Sequence, residues 1–325
     1  MVMTEEKSYK IQVLRGLSII AVVMIHNTPG GLMQVWCRPF INFGVGCFLF
    51  LSGMLSSADK WHPYKRIVKI IIPYVIWSLI YVIIGHYKQP AQIPVIYIKQ
   101  LITANAAKVM YYVFIYCEFQ LLIPAIDKLA RSKYKWIGFA VSPIEIIVMR
   151  LTPLVTGIEW NRYIQIVIRV SCLGWFTYFY LGYLLGNGLL KIRRSTSRLA
   201  VMWAGAMALQ ILEGYLYYST GKSNCGTQVK LSAILSGVLF VMIAYQYIES
   251  DRQMTYKCKI LHVLGDCSFG IFYSHLAVMA VLDHIPYYSV VIIYPFNAIV
   301  TITISCLCVL LGRKILGRYG KYLAL

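Results

Sequence analysis

Arg15 and His26 interrupt the first long apolar run of the sequence. A guanidinium offers a fixed charge and a fork of donors for carbonyl or phosphate oxygens. An imidazole takes up and returns a proton near neutral pH, which suits general base work. Eleven positions separate the two residues. On an α-helix that spacing is about three turns plus ~20°, so both side chains project from one face, roughly 16 Å apart along the axis. Taken singly, Arg15 reads equally well as a snorkelling residue and His26 as a helix-end residue facing the headgroups. Taken together on one face, they mark two points along a polar path.

Other residues with chemical potential are scattered through later apolar runs. Glu118, in Tyr116-Cys117-Glu118-Phe119, sits mid-run; it could orient a histidine or pair with Arg15, and a protonated or hydrogen-bonded structural carboxyl is the plainer alternative. Ser52 precedes Gly53, a pairing that also suits close helix packing. His275 lies on a late run, as a second site residue or as a satisfied bundle histidine. Arg66 and Lys69 open the third run, where positive-inside bias alone would place cations. Glu145 and Arg169 are candidates to pair, Glu213 is unexplained, and His62, His86, His262 and His284 receive no role. Ionisable groups at membrane depth are costly and are functional candidates by default.

The apolar setting follows from composition. Of 325 residues, 59% are hydrophobic and 13% charged, with a mean hydropathy of +0.66. A soluble domain could not shield so much apolar surface. A spanning helix needs ~20 mostly apolar residues. The runs are continuous and do not alternate as barrel strands do, so the expected fold class is all-α, a polytopic transmembrane bundle. Ten spans are expected, near residues 9–28, 40–57, 67–86, 110–127, 135–151, 167–188, 199–218, 230–248, 264–282 and 289–312. The segment from Tyr87 to Lys108 is the longest connection and could hold an interfacial helix.

Charge sets the expected orientation. A net charge of +19 in a soluble protein would suggest nucleic acid. Here the basic residues form short clusters between apolar runs, as topology signals do. Lys60, Lys65, Arg66 and Lys69, then Lys128, Arg131, Lys133 and Lys135, and likewise Lys191, Arg193, Arg194 and Arg198, fall on one side. Arg252, Lys257 and Lys259 join them, as do Arg313, Lys314, Arg318 and Lys321, whereas the alternate connections are poor in cations, with Arg38, Lys222 and Lys230 among the few. Both termini are therefore expected in the cytosol. The first run carries Arg15 and no small-residue cleavage pattern follows, so it should remain as a span. Nine cysteines, mostly inside apolar runs and never in a Cys-x-x-Cys pair, read as small buried residues and give neither a disulfide framework nor a metal site. With no linker-like stretch and no convincing internal repeat, residues 1–325 are expected to form a single membrane domain, which weakens an inverted-repeat transporter reading.

Five segments in order then resemble acyltransferase family 3, the membrane-bound acyltransferases. Tyr9-Lys10-Ile11-Gln12-Val13-Leu14-Arg15-Gly16-Leu17, running on to Ile25-His26, is similar to the family's opening Arg and His motif. Phe43-Gly44-Val45-Gly46-Cys47-Phe48-Leu49-Phe50-Leu51-Ser52-Gly53 resembles its second-span motif ending Phe-x-x-Ser-Gly. Arg66-Ile67-Val68-Lys69 resembles its Arg-x-x-Arg element with Lys in place of the second Arg. Tyr178-Phe179-Tyr180-Leu181-Gly182-Tyr183-Leu184-Leu185-Gly186 is similar to a later motif, and Ser268-Phe269-Gly270-Ile271-Phe272-Tyr273-Ser274-His275 to the late Ser-Tyr-x-Ile-Tyr-x-x-His, with Phe269 for Tyr.

The resemblance implies transfer of an acyl group, acetyl first among them, from cytosolic acyl-CoA to a hydroxyl of a cell-surface or envelope glycan or lipid-linked sugar. With it, His26 is expected as general base and Arg15 at the donor's carbonyl or along its pantetheine path, while Glu118 joins them as a catalytic candidate from its mid-run position alone. Arg66 and Lys69 suit the CoA phosphates, Lys69 keeping the charge but losing bidentate geometry. Ser52 and His275 are placed on the acceptor side. Acyl-CoA enters as co-substrate; no bound cofactor, metal or nucleic acid is expected, and the partners are the bilayer, acyl-CoA and the glycan acceptor, with a homo-oligomer left open. The implied location is the bacterial cytoplasmic membrane, multi-pass. The rival is an exporter of a polysaccharide or small polar solute with the same fold; a scaffold is disfavoured by Arg15, His26 and Glu118.

Overall fold

The computed structural model describes residues 4–221, 225–250 and 258–325. Lys222, Arg252 and Lys257, which contribute to the charge pattern, lie outside the described residues. The described residues form helices and contain no strand. In chain order the α-helices are α1 (Glu5–Asn27), α2 (Leu32–Cys37), α3 (Phe43–Met54), α4 (Pro63–His86), α5 (Ile93–Ile102), α6 (Tyr111–Arg131), α7 (Val141–Ile146), α8 (Thr152–Thr156), α9 (Arg162–Val170), α10 (Phe176–Gly186), α11 (Thr196–Ser219), α12 (Leu231–Glu249), α13 (Lys259–Asp266), α14 (Ser268–Leu282), α15 (Tyr288–Val291) and α16 (Phe296–Leu316).

Seven stretches are long and apolar enough to cross a membrane: Glu5–Asn27, Leu32–Met54, Pro63–His86, Arg162–Gly186, Thr196–Ser219, Leu231–Glu249 and Phe296–Leu323. The chain is thus a multi-pass helical membrane protein. Three of the ten expected spans look different. Helix α6 is long enough, but Glu118, Gln120, Asp127 and Lys128 make it less apolar. The stretch 135–151 is broken into a 3-10 turn (Lys135–Phe139), α7 and a π turn (Ile147–Leu151), with α8 following. Pro143 and Pro153 lack the N–H that a continuous ladder would need there. The expected span 264–282 is interrupted at Cys267, between α13 and α14. The long connection after α4 does hold a helix, α5, whose Val95, Ile98 and Ile102 are exposed.

The chain divides into two compact units. The first comprises Met1–Trp61, Ile123–Trp160 and Leu173–Asp266; the second comprises His62–Leu122, Asn161–Cys172 and Cys267–Leu325.

In the first unit, glycines let backbones meet. A Cβ on Gly16 of α1 would collide with the carbonyl of Leu261 on α13, and one on Gly265 with the carbonyl of Gln12 on α1. Between α3 and α10 the same holds for Gly53 against Phe179, Gly182 against Phe50 and Gly186 against Met54. Without a hydrophobic force between helices in lipid, such close packing is a main source of association. Every residue of α10 is buried, as suits a helix apolar on all sides. Tyr178 fills the space left by Gly46 on α3 and Gly237 on α12, and its hydroxyl donates to the Ala233 carbonyl at 3.2 Å.

In the second unit, hydroxyls and an indole fasten the helices. Pro73 interrupts the hydrogen-bond ladder of α4. One turn earlier, the Ile70 carbonyl accepts from the Tyr273 hydroxyl of α14 at 2.9 Å. The Tyr81 hydroxyl donates to the Tyr273 carbonyl at 2.6 Å, and Trp77 Nε1 donates to the Leu323 carbonyl at 3.0 Å. Neighbouring groups of this kind keep backbone polar atoms satisfied at membrane depth.

Candidate functional site

Arg15 and His26 ride on one uninterrupted helix, α1. Its start is set by Thr4, whose side chain accepts from the Lys7 amide at 3.2 Å, with Glu5 and Glu6 in the first turn. The spacing along one face therefore holds in three dimensions. Lys10, earlier on the helix, is fully buried; it pairs with Glu6 at 2.9 Å and donates to the Ser250 carbonyl at 2.7 Å, so that cation is structural. Arg15 differs. It is half-buried and makes no hydrogen bond or ion pair among the described residues, beside the Gly16 contact that brings α13 against α1. A guanidinium left in this way is open to an incoming anion or carbonyl.

His26 is half-buried in the last turn of α1. The carbonyl just before it, that of Ile25, accepts from Arg38 Nη1 at 2.6 Å. Arg38 Nε also donates to the Gly226 carbonyl at 3.2 Å. Helix ends leave carbonyls without intrahelical partners, and a cation there meets both the carbonyl and the helix dipole. By sequence Arg38 reads only as a cation on the poorer side; its place so soon after a span end, joined by a short connection, is the signal that marks it.

Ser52 lies half-buried on α3, and its carbonyl accepts from the Ser56 hydroxyl at 2.8 Å. Its neighbour Gly53 is the point of contact with α10, so the Ser-Gly pair does take part in close packing.

Beyond His26, the first unit contains a buried polar cluster. Asn42 Nδ2 donates to Gln210 Oε1 at 2.5 Å, and Gln210 Nε2 donates to the Ser236 hydroxyl at 2.7 Å. Lys230 Nζ donates to the carbonyls of Gln210 at 3.0 Å and Cys225 at 3.2 Å. Glu213 accepts from both the amide and the hydroxyl of Ser232. Glu145, a candidate to pair with Arg169, instead meets Arg150 at 3.4 Å. Arg150 lies five residues on along the same chain segment, within reach of the carboxylate.

The second unit holds the remaining candidates. Arg66 is half-buried and donates to Gln120 Oε1 at 3.2 Å, while Lys69 is exposed. Glu118 Oε2 accepts from the Cys172 amide at 2.6 Å, a hydrogen-bonded carboxyl at the end of α9. His275 is fully buried, with Nδ1 2.9 Å from the Ile271 carbonyl. A carbonyl only accepts, so Nδ1 carries the proton of that hydrogen bond. Arg169 donates to Asn105 Oδ1 at 2.6 Å and to the Thr103 carbonyl. Arg15, His26 and Ser52 thus belong to one unit, and Arg66, Lys69, Glu118 and His275 to the other. Among the described residues no cluster of His, Cys, Asp and Glu is arranged to hold a metal, and no disulfide forms.

Against known proteins, a family model described as an acyltransferase domain matches residues 8–310, nearly the whole chain and parts of both units. No curated protein and no solved structure gives a significant match.

Proposed function

We propose, from the premise that this chain belongs to acyltransferase family 3, that it moves an acetyl group from cytosolic acetyl-CoA to a hydroxyl of an envelope glycan. The observation that carries the proposal is the continuity of α1, with Arg15 and His26 on one face. At roughly 16 Å along the axis, the two cannot act on the same carbonyl. The spacing favours a division of labour. His26 removes the proton from the acceptor hydroxyl, whose oxygen attacks the thioester carbon; the C–S bond breaks and the CoA thiolate takes a proton. Arg15 lies along the route of the extended pantetheine arm. Arg66 and Lys69, at the start of α4, suit the phosphates of CoA. In this reading Glu118 fastens the end of α9, and His275 and Ser52 have no step in the chemistry. The enzyme works in the cytoplasmic membrane with both termini in the cytosol, as the charge bias favours.

The test supplies membranes with radiolabelled acetyl-CoA and compares wild type with His26→Ala. Label should pass to glycan in the first and not in the second. Equal transfer by both would remove His26 from the mechanism. Absence of thioester consumption with every glycan acceptor would favour the exporter.

A further inference from the structure

We propose that the buried polar cluster next to the His26 turn, formed by Asn42, Gln210, Glu213, Tyr217 and Lys230, is a binding site for a sugar unit. This rests on the acyl-transfer reading above and names where the acceptor is held.

The spacing comes first. Gln210, Glu213, Gly214 and Tyr217 stand at i, i+3, i+4 and i+7 on α11, which is one helical face. Gln210, Gly214 and Tyr217 are buried, whereas Leu212, Tyr215 and Leu216 on the other sides are exposed. Polar residues on a transmembrane helix face the bundle interior and mark candidate ligand paths. Gly214 brings Lys230 against this face, since a Cβ there would come within 3.2 Å of both Lys230 Nζ and Val35 Cγ1.

The second observation is unmet hydrogen-bonding capacity. The Tyr217 hydroxyl and Asn42 Oδ1 have no partner among the described residues, although Tyr217 is only 7% and Asn42 only 3% exposed. Buried polar atoms of this kind are rare unless a water or a ligand completes them. One is a hydroxyl that both donates and accepts, and the other is an amide oxygen that only accepts. Glu213 and Arg150 lie within electrostatic reach of the Tyr217 hydroxyl, and Glu213 and Arg38 within reach of Lys230.

The chemistry of the lining selects the ligand class. Carboxylate, amide, phenol and ammonium together offer donors and acceptors of both signs. A bare anion would face Glu213, and a cation would face Lys230 and Arg38. Polyhydroxylated rings present donor and acceptor at every hydroxyl, which suits the mixture. Position also fits. The Gly226 carbonyl accepts from Asn42 of the cluster at 3.3 Å and from Arg38 at 3.2 Å, and Arg38 in turn holds the Ile25 carbonyl beside His26. One backbone carbonyl therefore links the cluster to the turn that carries the base.

The experiment uses the purified full chain and five probes: the methyl glycosides of glucose, galactose, mannose, rhamnose and N-acetylglucosamine. Thermal midpoints are measured with and without each probe, alongside transfer kinetics. At least one glycoside should raise the midpoint of wild type. Tyr217→Phe and Glu213→Gln should abolish that rise and increase the acceptor KM about tenfold, leaving the KM for acetyl-CoA in place. Tyr217→Phe removes only a hydroxyl that has no partner among the described residues, so its fold should persist if Glu213→Gln fails to fold. No rise in wild type with any glycoside, or a rise that survives Tyr217→Phe, would overturn the site and leave the cluster a structural network. The two proposals part at His26→Ala, which should keep the glycoside-induced rise while losing transfer. A rise that is lost in Tyr217→Phe, with no transfer by wild type to any acceptor, would keep the site and reject the acyl-transfer reading.

Discussion

Arg38 donates a 2.6 Å hydrogen bond to the carbonyl of Ile25, the residue that precedes His26 on α1. The same guanidinium reaches Gly226 at 3.2 Å, so it ties the end of α1 to the segment leading into α12. The aim of the proposed base therefore depends on a residue twelve positions further along the chain. Arg38→Ala should lower transfer by about 10–100-fold, as misplacement of a catalytic group does. The loss of the helix-end charge itself should cost only ~0.3–1 kcal/mol of stability. Arg38→Lys should recover part of the activity, because an ammonium can still reach one carbonyl. Transfer rates and thermal midpoints measured on the same preparations separate the two effects; equal rates in all three proteins would discard the assignment.

Gly182 on α10 faces the carbonyl of Phe50, a backbone atom that cannot swing aside. Gly182→Ala should destabilise the first unit by roughly 1–3 kcal/mol or prevent accumulation in the membrane. Gly205 on α11 is the control, because a Cβ there meets nothing within 4 Å. Gly205→Ala should be neutral or gain ~0.5–1 kcal/mol from lower unfolded-chain entropy. Detergent-solubilised midpoints for the pair give the comparison, and equal shifts would count against backbone-to-backbone packing at α3 and α10.

Lys230 lies just before α12 and is almost fully buried. Burial pushes its ammonium down to about 8 from an ordinary 10.5; Glu213 and Cys225 oppose the shift and Arg38 adds to it. The folded value lies below the unfolded one, so the native state binds fewer protons between the two. Stability should therefore rise as pH climbs from about 8 towards 10.5, with the cost of the charged form fully present below about 8. At 1.36 kcal/mol per unit the window spans about 3 kcal/mol. Lys230→Met should flatten that part of the stability profile. A variant whose midpoint climbs as steeply as wild type over this range would show that another group titrates there.

Arg66 and Lys69 allow a test of donor binding apart from the base. Arg66→Gln should raise the KM for acetyl-CoA about tenfold, as loss of a charge-assisted phosphate contact would. Lys69→Arg should lower that KM modestly by restoring a forked donor set. Initial rates at varied acetyl-CoA and fixed acceptor provide the measurement. Arg66 also donates to Gln120 at 3.2 Å. A change in thermal midpoint with an unchanged KM would mark it as a helix fastener instead.

Much of the fold is legible in the residue order, because each such feature depends on near neighbours in the chain. Apolar runs of about 20 residues specify helices in lipid by themselves, since backbone groups must be satisfied inside the segment. A fixed helical pitch then places Arg15 and His26 on one face of α1, as observed. Other features required contacts between distant residues. The choice for Glu145 between Arg150 and Arg169, the hold of Glu118 on Cys172, and the grip of Arg38 on Ile25 and Gly226 depend on which segments fold beside one another. Continuity of an apolar run could not reveal the breaks in 135–151 and at Cys267, because hydropathy does not sense a missing amide or the pull of tertiary contacts. The helical membrane fold, the family motifs and the two polar points on α1 all follow from residue order along the chain. The joining of the α1 end to Gly226 through Arg38 needed the folded chain, because Gly226 lies far from α1 in sequence.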